Sequence, residues 1–290
     1  TVYDVEMARY ANELKIDSPN PKIGHLHLPN SHARLMNADV RINSQGMRDR
    51  EHTLDKGAAE RIAFLGDSLT FGWGVEQKDN FATLLEQRLS AVRPTEILNF
   101  GTGNYNTEQE VNQFLEHGLQ FHPDRVVVFY FINDAEVTPQ KSQLWFLGLS
   151  RLFTMYWSRV LALRSAFTPG MSFQSYYSAL YREDQPGWIN TKQAFLDLQA
   201  ACRSRDIPLQ VVVLPELHNV VDYTFKREHA LLTTFLTQHG IANLDLAPAF
   251  KWYSSTMDLW VAMDDAHPNA KAHAMIADYA FDFLKAKEKP

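Results

Sequence analysis

The sequence predicts an α/β protein built on a five-stranded parallel β-sheet, preceded by a small N-terminal β-containing annex. From residue 61 onward, apolar segments of strand length alternate with segments of helical periodicity. This alternation is typical of a parallel sheet with helices on both faces. The first, third and fourth apolar segments carry few polar residues, as expected of strands covered on both sides. The predicted strands are 61–65, 95–100, 124–132, 209–214 and 241–246, and the predicted helices are about 80–90, 107–118, 191–205, 226–239 and 269–286.

Length and composition limit the classes of protein that fit the chain. Its 290 residues can bury a large core, either as one domain or as a domain with an annex. The net charge of −6 argues against nucleic acid as a partner. The single cysteine, Cys202, excludes an internal disulfide. No run of uncharged apolar residues is long enough to cross a bilayer.

The compartment depends on what precedes the first residue. The chain begins at Thr1 rather than at methionine, which is compatible with removal of a leader or a membrane anchor. In that case we expect an extracytoplasmic or membrane-anchored protein, and otherwise a cytoplasmic one.

Residues 1–60 form the predicted annex, and residues 61–290 form the main domain. Residues 1–18 have apolar side chains at helical spacing, and residues 25–28 and 38–42 alternate as short strands do. Three annex histidines, His25, His27 and His32, have no paired ligand motif elsewhere in the chain. We therefore expect no metal site.

Residues 137–190 interrupt the alternation after the third strand. This predicted helical insertion is rich in aromatic residues and also contains arginines: Trp145, Phe146, Arg151, Phe153, Tyr156, Trp157, Arg159, Arg164, Phe167, Phe173, Tyr176, Tyr177, Tyr181 and Trp188. Such a segment can form a subdomain with its own core, or a lid or wall over a site. Membrane contact through residues 140–165 is a third, less favoured interpretation.

A serine follows the first predicted strand in the motif Gly66-Asp67-Ser68. A turn between a parallel strand and a helix lies at the carboxyl edge of the sheet, where open α/β sheets bind ligands. The first N–H groups of such a helix also favour negative charge. Ser68 is therefore placed as a nucleophile whose own N–H can hold an oxyanion. The alternative is that Asp67 and Ser68 only cap a turn or helix.

Two further strand ends supply candidate hydrogen-bond donors. After the second strand, the N–H of Gly103 can point toward the crevice beside Ser68. A dinucleotide loop is disfavoured there, because Asn106 occupies the position of the third glycine and no acidic residue ends the following strand. After the third strand, the amide of Asn133 can donate to an oxyanion. The alternatives are a tight turn at Gly103 and a turn or cap residue at Asn133.

The segment near the C-terminus supplies an acid–base candidate. Asp264 precedes His267 by three residues, and on a turn its carboxylate can reach the ring Nδ1–H. Nε2 is then free to take a proton from serine, and histidine titrates in the range that this step needs. Asp265 is two residues from His267, so on a turn or helix we expect it to face solvent or to cap a helix. The alternative is a helix cap with a surface histidine.

Together, these segments make the chain resemble the SGNH, or GDSL-type, hydrolase family over about residues 61–286. The similar positions are Gly66-Asp67-Ser68-Leu69 for the nucleophile block, Gly103 and Asn133-Asp134 for the oxyanion blocks, and Asp264 with His267 for the last block. The resemblance implies a flavodoxin-like three-layer α/β/α fold and serine-based ester hydrolysis or acyl transfer. Phe131 departs from the family, which usually has glycine there, and this leaves the acyl preference open. Residues 43–48 also resemble a segment that precedes the domain in some bacterial exported or polysaccharide-associated members.

The predicted function is an acyl-ester hydrolase with Ser68 as nucleophile, His267 as base and Asp264 as its orienting carboxylate. Ser68, Gly103 and Asn133 are the predicted oxyanion donors. The covalent acyl-enzyme requires neither a cofactor nor a metal. The resemblance and the aromatic insertion favour an O-acyl ester of a carbohydrate, including an O-acetyl ester. The alternatives are an O-acyltransferase with the same triad, a lipid esterase and a non-catalytic glycan-binding scaffold.

Overall fold

The computed structural model describes residues 2–138 and 172–286 of the chain. Its strands are β1 (Lys15–Asp17), β2 (His25–His27), β3 (His32–Leu35), β4 (Ala38–Arg41), β5 (Glu60–Gly66), β6 (Thr95–Asn99), β7 (Arg125–Tyr130), β8 (Leu209–Val213), β9 (Ala242–Asp245), β10 (Trp260–Ala262) and β11 (Asp265–Pro268). Its helices are α1 (Val2–Glu13), α2 (Ser68–Phe71), α3 (Phe81–Ser90), α4 (Thr107–Gln113), α5 (Phe173–Leu180), α6 (Pro186–Arg203), α7 (Lys226–Gln238), α8 (Ala247–Phe250) and α9 (Ala270–Lys285).

The main sheet contains five strands in the order β6-β5-β7-β8-β9, and every neighbouring pair is parallel. Each of these strands was predicted to within two residues at either end. The strand order changes direction between β5 and β7, so the loop after β5 leads to helix α3 on one face and the loop after β7 leads toward helix α6 on the other. This switch point at the carboxyl edge is where doubly wound sheets bind ligands.

Two apolar cores cover the two faces of the sheet. Along β5, Ile62 and Phe64 belong to one core, whereas Ala63 and Leu65 belong to the other. This alternation follows the two-residue period of a strand. Helices α3 and α9 pack on the first face, and helices α4, α6 and α7 pack on the second. The predicted three-layer α/β/α fold is thereby confirmed.

The N-terminal annex consists of α1 and two antiparallel strand pairs, β1–β2 and β3–β4. The helix predicted over residues 1–18 ends at Glu13, and β1 follows it. A third, smaller core combines annex side chains such as Tyr10 and Leu14 with Phe71 and Trp73 of the main domain. The annex therefore packs directly against the segment that follows Ser68.

The structure describes only the ends of the predicted insertion. Residues 139–171, including the proposed membrane-contact segment 140–165, lie outside the described residues, as do Trp145, Phe146, Arg151, Phe153, Tyr156, Trp157, Arg159, Arg164 and Phe167. Helix α6 begins at Pro186, five residues before the predicted start at 191. Within the described residues, no helix has both the length and the apolar character needed to cross a membrane.

A β-hairpin near the C-terminus was not predicted. Strands β10 and β11 pair antiparallel, with Trp260 opposite Pro268 and Ala262 opposite Asp265. Asn269 then caps α9, because its side chain accepts hydrogen bonds from the N–H groups of Lys271 and Ala272. The hairpin carries Asp265 and His267 to the carboxyl edge of the main sheet.

Candidate active site

Ser68 lies on a tight turn between β5 and α2. A side chain at Gly66 would place its Cβ 2.1 Å from the Oγ1 of Thr70 and 3.0 Å from the carbonyl oxygen of Phe129, so only glycine fits. Asp67 caps the helix by accepting a hydrogen bond of 2.9 Å from the N–H of Leu69. Because Ser68 is the first helical residue, its own N–H has no partner within the helix. The turn therefore presents both the hydroxyl and the N–H of Ser68 at the sheet edge.

Ser68 and His267 meet as the sequence predicted. The Oγ of Ser68 lies 2.8 Å from the Nε2 of His267. On the other side of the ring, Nδ1 lies 2.5 Å from the Oδ1 of Asp265. With the proton on Nδ1, the ring donates to Asp265 and accepts from the Ser68 hydroxyl. This is the tautomer that a general base for serine requires.

The structure places Asp265 rather than Asp264 beside His267, so the prediction for Asp264 is wrong. The prediction assumed a turn or helix, where residues three apart share a face. Asp265 and His267 instead lie on strand β11, where residues two apart share a face. Asp264 lies in the hairpin turn, and its side chain is exposed, although it borders the same crevice.

Both carboxylate oxygens of Asp265 are held in place. Oδ1 also accepts a hydrogen bond of 3.1 Å from the backbone N–H of His267, and Oδ2 accepts one of 2.8 Å from the Nε1 of Trp73. Burial raises the pKa of Asp265, but hydrogen bonds and the charge of His267 outweigh it, so the pKa lies below its ordinary value. Asp265 therefore stays ionised next to the imidazole.

Tyr3 of the annex stacks against the His267 ring. The two ring centroids are 5.9 Å apart, and the ring planes are inclined by 28°. Burial, together with nearby carboxylates, raises the pKa of Tyr3 to about 12, so the phenol stays neutral. Tyr3 was not predicted as a site residue, because no local pattern links residue 3 to residue 267.

Gly103 does not present its N–H to the crevice, so its predicted role as an oxyanion donor is wrong. The N–H donates a hydrogen bond of 2.9 Å to the hydroxyl of Tyr10, and that hydroxyl lies 2.7 Å from the Nε2 of His27. A Cβ at Gly103 would lie 2.6 Å from the Cε1 of Tyr10. The turn after β6 is therefore built around a tyrosine from the annex.

Asn104, the next residue, lines the crevice together with Ser68. Its φ of 66° lies in the left-handed region, which asparagine tolerates better than most residues. The Nζ of Lys15 donates to the Oδ1 of Asn104 at 2.9 Å and to the carbonyl of Gly103 at 2.8 Å. Burial lowers the pKa of Lys15 to about 7. Asparagine tolerates positive φ, so its place at the end of Gly101-Thr102-Gly103-Asn104 could have predicted a sharp turn at Asn104.

Asn133 lies in the short helical turn that follows β7, and it lines the crevice beside Ser68. Its side chain interacts with the carboxyl of Asp67 and acts to lower the pKa of that group, and its Oδ1 is buried with no hydrogen-bond partner among the described residues. An amide nitrogen carries two N–H donors. One donor can hold Asp67 while the other faces a ligand. Burial raises the pKa of Asp67 above its usual value.

The three annex histidines each have a protein partner. His25 lies 3.1 Å from the carbonyl of Gly103, His27 bonds Tyr10, and His32 bonds Asp39. Burial lowers the pKa of His25 and of His27 to about 3, so both rings are neutral. Across residues 2–138 and 172–286, no cluster of histidine, cysteine, aspartate or glutamate has the arrangement of a metal site.

The crevice over Ser68 has a volume of ≈ 390 Å³. Its walls combine aromatic rings and polar side chains in about equal share. The aromatic lining consists of Tyr3, Phe131, Phe173, Tyr177 and Trp260, and the polar lining consists of Asn104, Asn133, Glu216, His218 and Asp264 together with Ser68, Asp265 and His267. A concave site with this mixed lining suits a small molecule that carries both polar and apolar groups.

A serine, a histidine and a buried aspartate joined in this way, at the switch point of a doubly wound sheet, define a serine hydrolase. The sequence pattern of the GDSL-like Lipase/Acylhydrolase family matches residues 64–275, which is more than half of the chain. The chain belongs to this family and is a serine esterase, which acts as an acyl-ester hydrolase.

Solved structures share its fold at low sequence identity. LAE5, an alpha/beta hydrolase enzyme from the metagenome of Lake Arreo, Spain, is 17% identical with a TM-score of 0.50, over 80% of this chain and 99% of that one. TesA is 12% identical with a TM-score of 0.51, over 78% of this chain and 98% of that one. At such identities the likeness concerns the fold alone. No curated protein sequence matches the chain.

Proposed function

We propose that Ser68 attacks the ester carbonyl and carries the acyl group as a covalent intermediate. The contact of 2.8 Å between its Oγ and the Nε2 of His267 carries this proposal. His267 takes the hydroxyl proton, gives it to the departing alcohol, and then activates water for deacylation. Asp265 replaces Asp264 in the proposed triad, where it fixes the tautomer of His267 and stabilises the ring when it becomes charged.

Three donors are proposed to hold the oxyanion. The N–H of Ser68 and the side-chain amide of Asn133 keep the roles that the sequence suggested. The backbone N–H of Asn104 takes the place of that of Gly103, because Gly103 is bound to Tyr10 whereas Asn104 lines the crevice. Donors of this kind act mainly on the charge that develops in the transition state.

The proposed substrate is an O-acyl ester of a carbohydrate, including an O-acetyl ester. The walls of the crevice support this substrate, because aromatic faces suit the apolar faces of sugar rings and the polar side chains suit hydroxyl groups. Phe131 lies in the crevice wall with Ser68 and Asn133, where the family usually has glycine. Its ring takes up room beside the reacting carbonyl, which favours a short acyl group.

Covalent labelling tests the nucleophile directly. We expect a fluorophosphonate to add one phosphonyl group to the wild-type protein and none to the variant Ser68→Ala, as measured by intact-protein mass. The variant Ser204→Ala, in which an exposed serine is replaced, should label like the wild type. Labelling of Ser68→Ala to the wild-type extent would show that another residue is the nucleophile.

A panel of esters then tests the substrate. We expect acetylated saccharides and p-nitrophenyl acetate to be hydrolysed faster than p-nitrophenyl esters of long acyl chains. Preference for long chains, with no turnover of acetylated saccharides, would contradict the carbohydrate assignment and favour a lipid ester.

A further inference from the structure

A second histidine–carboxylate pair lines the crevice and has no part in the proposed triad. Glu216 and His218 lie in the loop after β8, and the Nδ1 of His218 bonds the Oε1 of Glu216. The backbone N–H of His218 also donates to Glu216, at 3.2 Å from Oε1 and 3.1 Å from Oε2. Asp265 holds His267 in the same way, through the ring Nδ1 and the backbone N–H.

The two pairs differ at the opposite ring nitrogen. The Nε2 of His267 meets Ser68, whereas the Nε2 of His218 has no hydrogen-bond partner among residues 2–138 and 172–286. The side chain of His218 is 51% exposed, although that of Glu216 is only 5% exposed. The carboxylate of Glu216 is therefore buried and fixed, whereas the Nε2 of His218 is accessible to a ligand.

A buried hydrogen-bond chain fixes the loop that carries the pair. The N–H of Glu216 donates to the hydroxyl of Tyr223 at 3.1 Å, and that hydroxyl lies 2.8 Å from the Nε2 of His229. The Nδ1 of His229 lies 2.9 Å from the Oδ1 of Asp245, at the end of β9. Because each group in the chain has a defined donor or acceptor role, Glu216 is held in place before any ligand arrives.

Aromatic rings flank the open imidazole. The ring centroid of His218 is 4.8 Å from that of Trp260 and 5.3 Å from that of Phe173. All three residues line the same crevice as Ser68. The hydrogen bond to Glu216 raises the pKa of His218 above its ordinary value, and burial opposes this shift only in part.

We propose that His218, oriented by Glu216, binds a hydroxyl group on the alcohol half of the ester, while Trp260 and Phe173 contact its apolar faces. The ligand class is a polyhydroxylated alcohol such as a saccharide unit, so the inference rests on the proposed function and sharpens it. A hydroxyl can accept from a charged ring and donate to a neutral one, so it pairs with Nε2 in either state.

Two other kinds of substrate fit this part of the crevice less well. A carboxylate next to His218 would also lie near the charged side chain of Glu216, and like charges repel. A hydrocarbon chain would cover Nε2 and leave it without a hydrogen-bond partner, which is costly for a polar group removed from water. His218 is accordingly a specificity-determining residue for the alcohol half.

The test uses inhibition by an alcohol that carries no ester. Methyl glucoside and methyl xyloside are added while the 290-residue chain hydrolyses p-nitrophenyl acetate, whose alcohol half has no further hydroxyl group. We expect at least one glycoside to inhibit the wild type competitively and its inhibition constant to rise roughly tenfold in His218→Ala, as loss of one hydrogen bond implies. Turnover of p-nitrophenyl acetate alone is measured for each variant, so that the inhibition constants are compared between proteins of known activity.

Matched variants separate binding from folding. His218→Gln should recover part of the inhibition, because its amide can both donate and accept. His32→Ala removes an exposed histidine of the annex that is also paired with a carboxylate, and it should behave like the wild type. Unchanged inhibition in His218→Ala, or no inhibition of the wild type by either glycoside, would overturn the proposal. Failure to hydrolyse acetylated saccharides would instead count against the proposed function, since inhibition is read with a different ester.

Discussion

At the scale of single residues, the two buried carboxyl groups of Asp265 and Glu110 have opposite environments. Asp265 accepts three hydrogen bonds, and its pKa lies below the ordinary value. Glu110, on helix α4, is 1% exposed, and neither of its carboxyl oxygens has a hydrogen-bond partner among the described residues. Burial raises the pKa of Glu110 well above its usual range, and the charge of Asp67 adds to the effect. We therefore expect Glu110 to keep its proton in the folded protein.

Replacing Glu110 should change how stability depends on pH. The folded state keeps a proton on Glu110 that the unfolded state releases, so stability falls as pH rises above the unfolded pKa. A single proton sets a limiting slope of about 1.4 kcal/mol per pH unit. The free energy of unfolding is measured by urea titration at about pH 5 and at about pH 8. We expect its decrease between these two pH values to be smaller for Glu110→Gln than for the wild type.

A control on the same helix isolates this effect. The carboxylate of Glu108 accepts a hydrogen bond from Thr138, so Glu108→Gln should keep the wild-type slope. Equal slopes in Glu110→Gln and the wild type would show that the carboxyl of Glu110 does not hold its proton.

At the scale of secondary-structure elements, the annex is a structural part of the site. Helix α1 brings Tyr3 to His267 and Tyr10 to Gly103, and strand β1 brings Lys15 to the turn containing Asn104. Tyr10 is fully buried, with its hydroxyl bonded on both sides. The turn that carries one proposed oxyanion donor is thus shaped by residues more than eighty positions away in the sequence.

Tyr10→Phe tests this dependence. Removing the hydroxyl leaves the N–H of Gly103 and the Nε2 of His27 buried without a partner, which should cost about 1–3 kcal/mol of stability. We also expect kcat on p-nitrophenyl acetate to fall at a temperature where the variant is folded. Tyr279→Phe alters a partly exposed ring and serves as the control. If Tyr10→Phe were as stable and as active as the wild type, the annex would not shape the turn that carries Asn104.

The elements also differ in how well the sequence predicts them. Strands β5, β7 and β8 are recognisable because nearly every residue is apolar, as burial on both faces requires. Strand β11 consists of Asp-Ala-His-Pro and becomes a strand only by pairing with β10. No local periodicity marks such a short segment. Residues three apart share a face on a turn or helix but not on a strand, so the spacing predicted Asp264 in place of the neighbouring Asp265.

At the scale of the whole molecule, the site exists only because distant segments meet at one sheet edge. Ser68 and His267 are 199 positions apart, and Trp73 and Asp265 are 192 apart. The sequence predicted the sheet because its strands follow from local pattern, and it selected Ser68 and His267, which the structure brings into contact, from local pattern and family resemblance. It could not predict the contacts of Tyr3, Tyr10 and Lys15, because these depend on how the annex packs on the main domain.

The most direct test of the proposed triad compares two neighbouring aspartates. Asp265→Asn cannot accept the Nδ1–H of His267 as a carboxylate does, and the equivalent change in a serine protease lowers kcat by about 10⁴. We therefore measure kcat of Asp265→Asn and of Asp264→Asn on one activated ester, with folding checked by thermal unfolding. We expect a loss on the order of 10³–10⁴ for Asp265→Asn and a value close to the wild type for Asp264→Asn. A larger loss at Asp264 than at Asp265 would contradict the proposed triad.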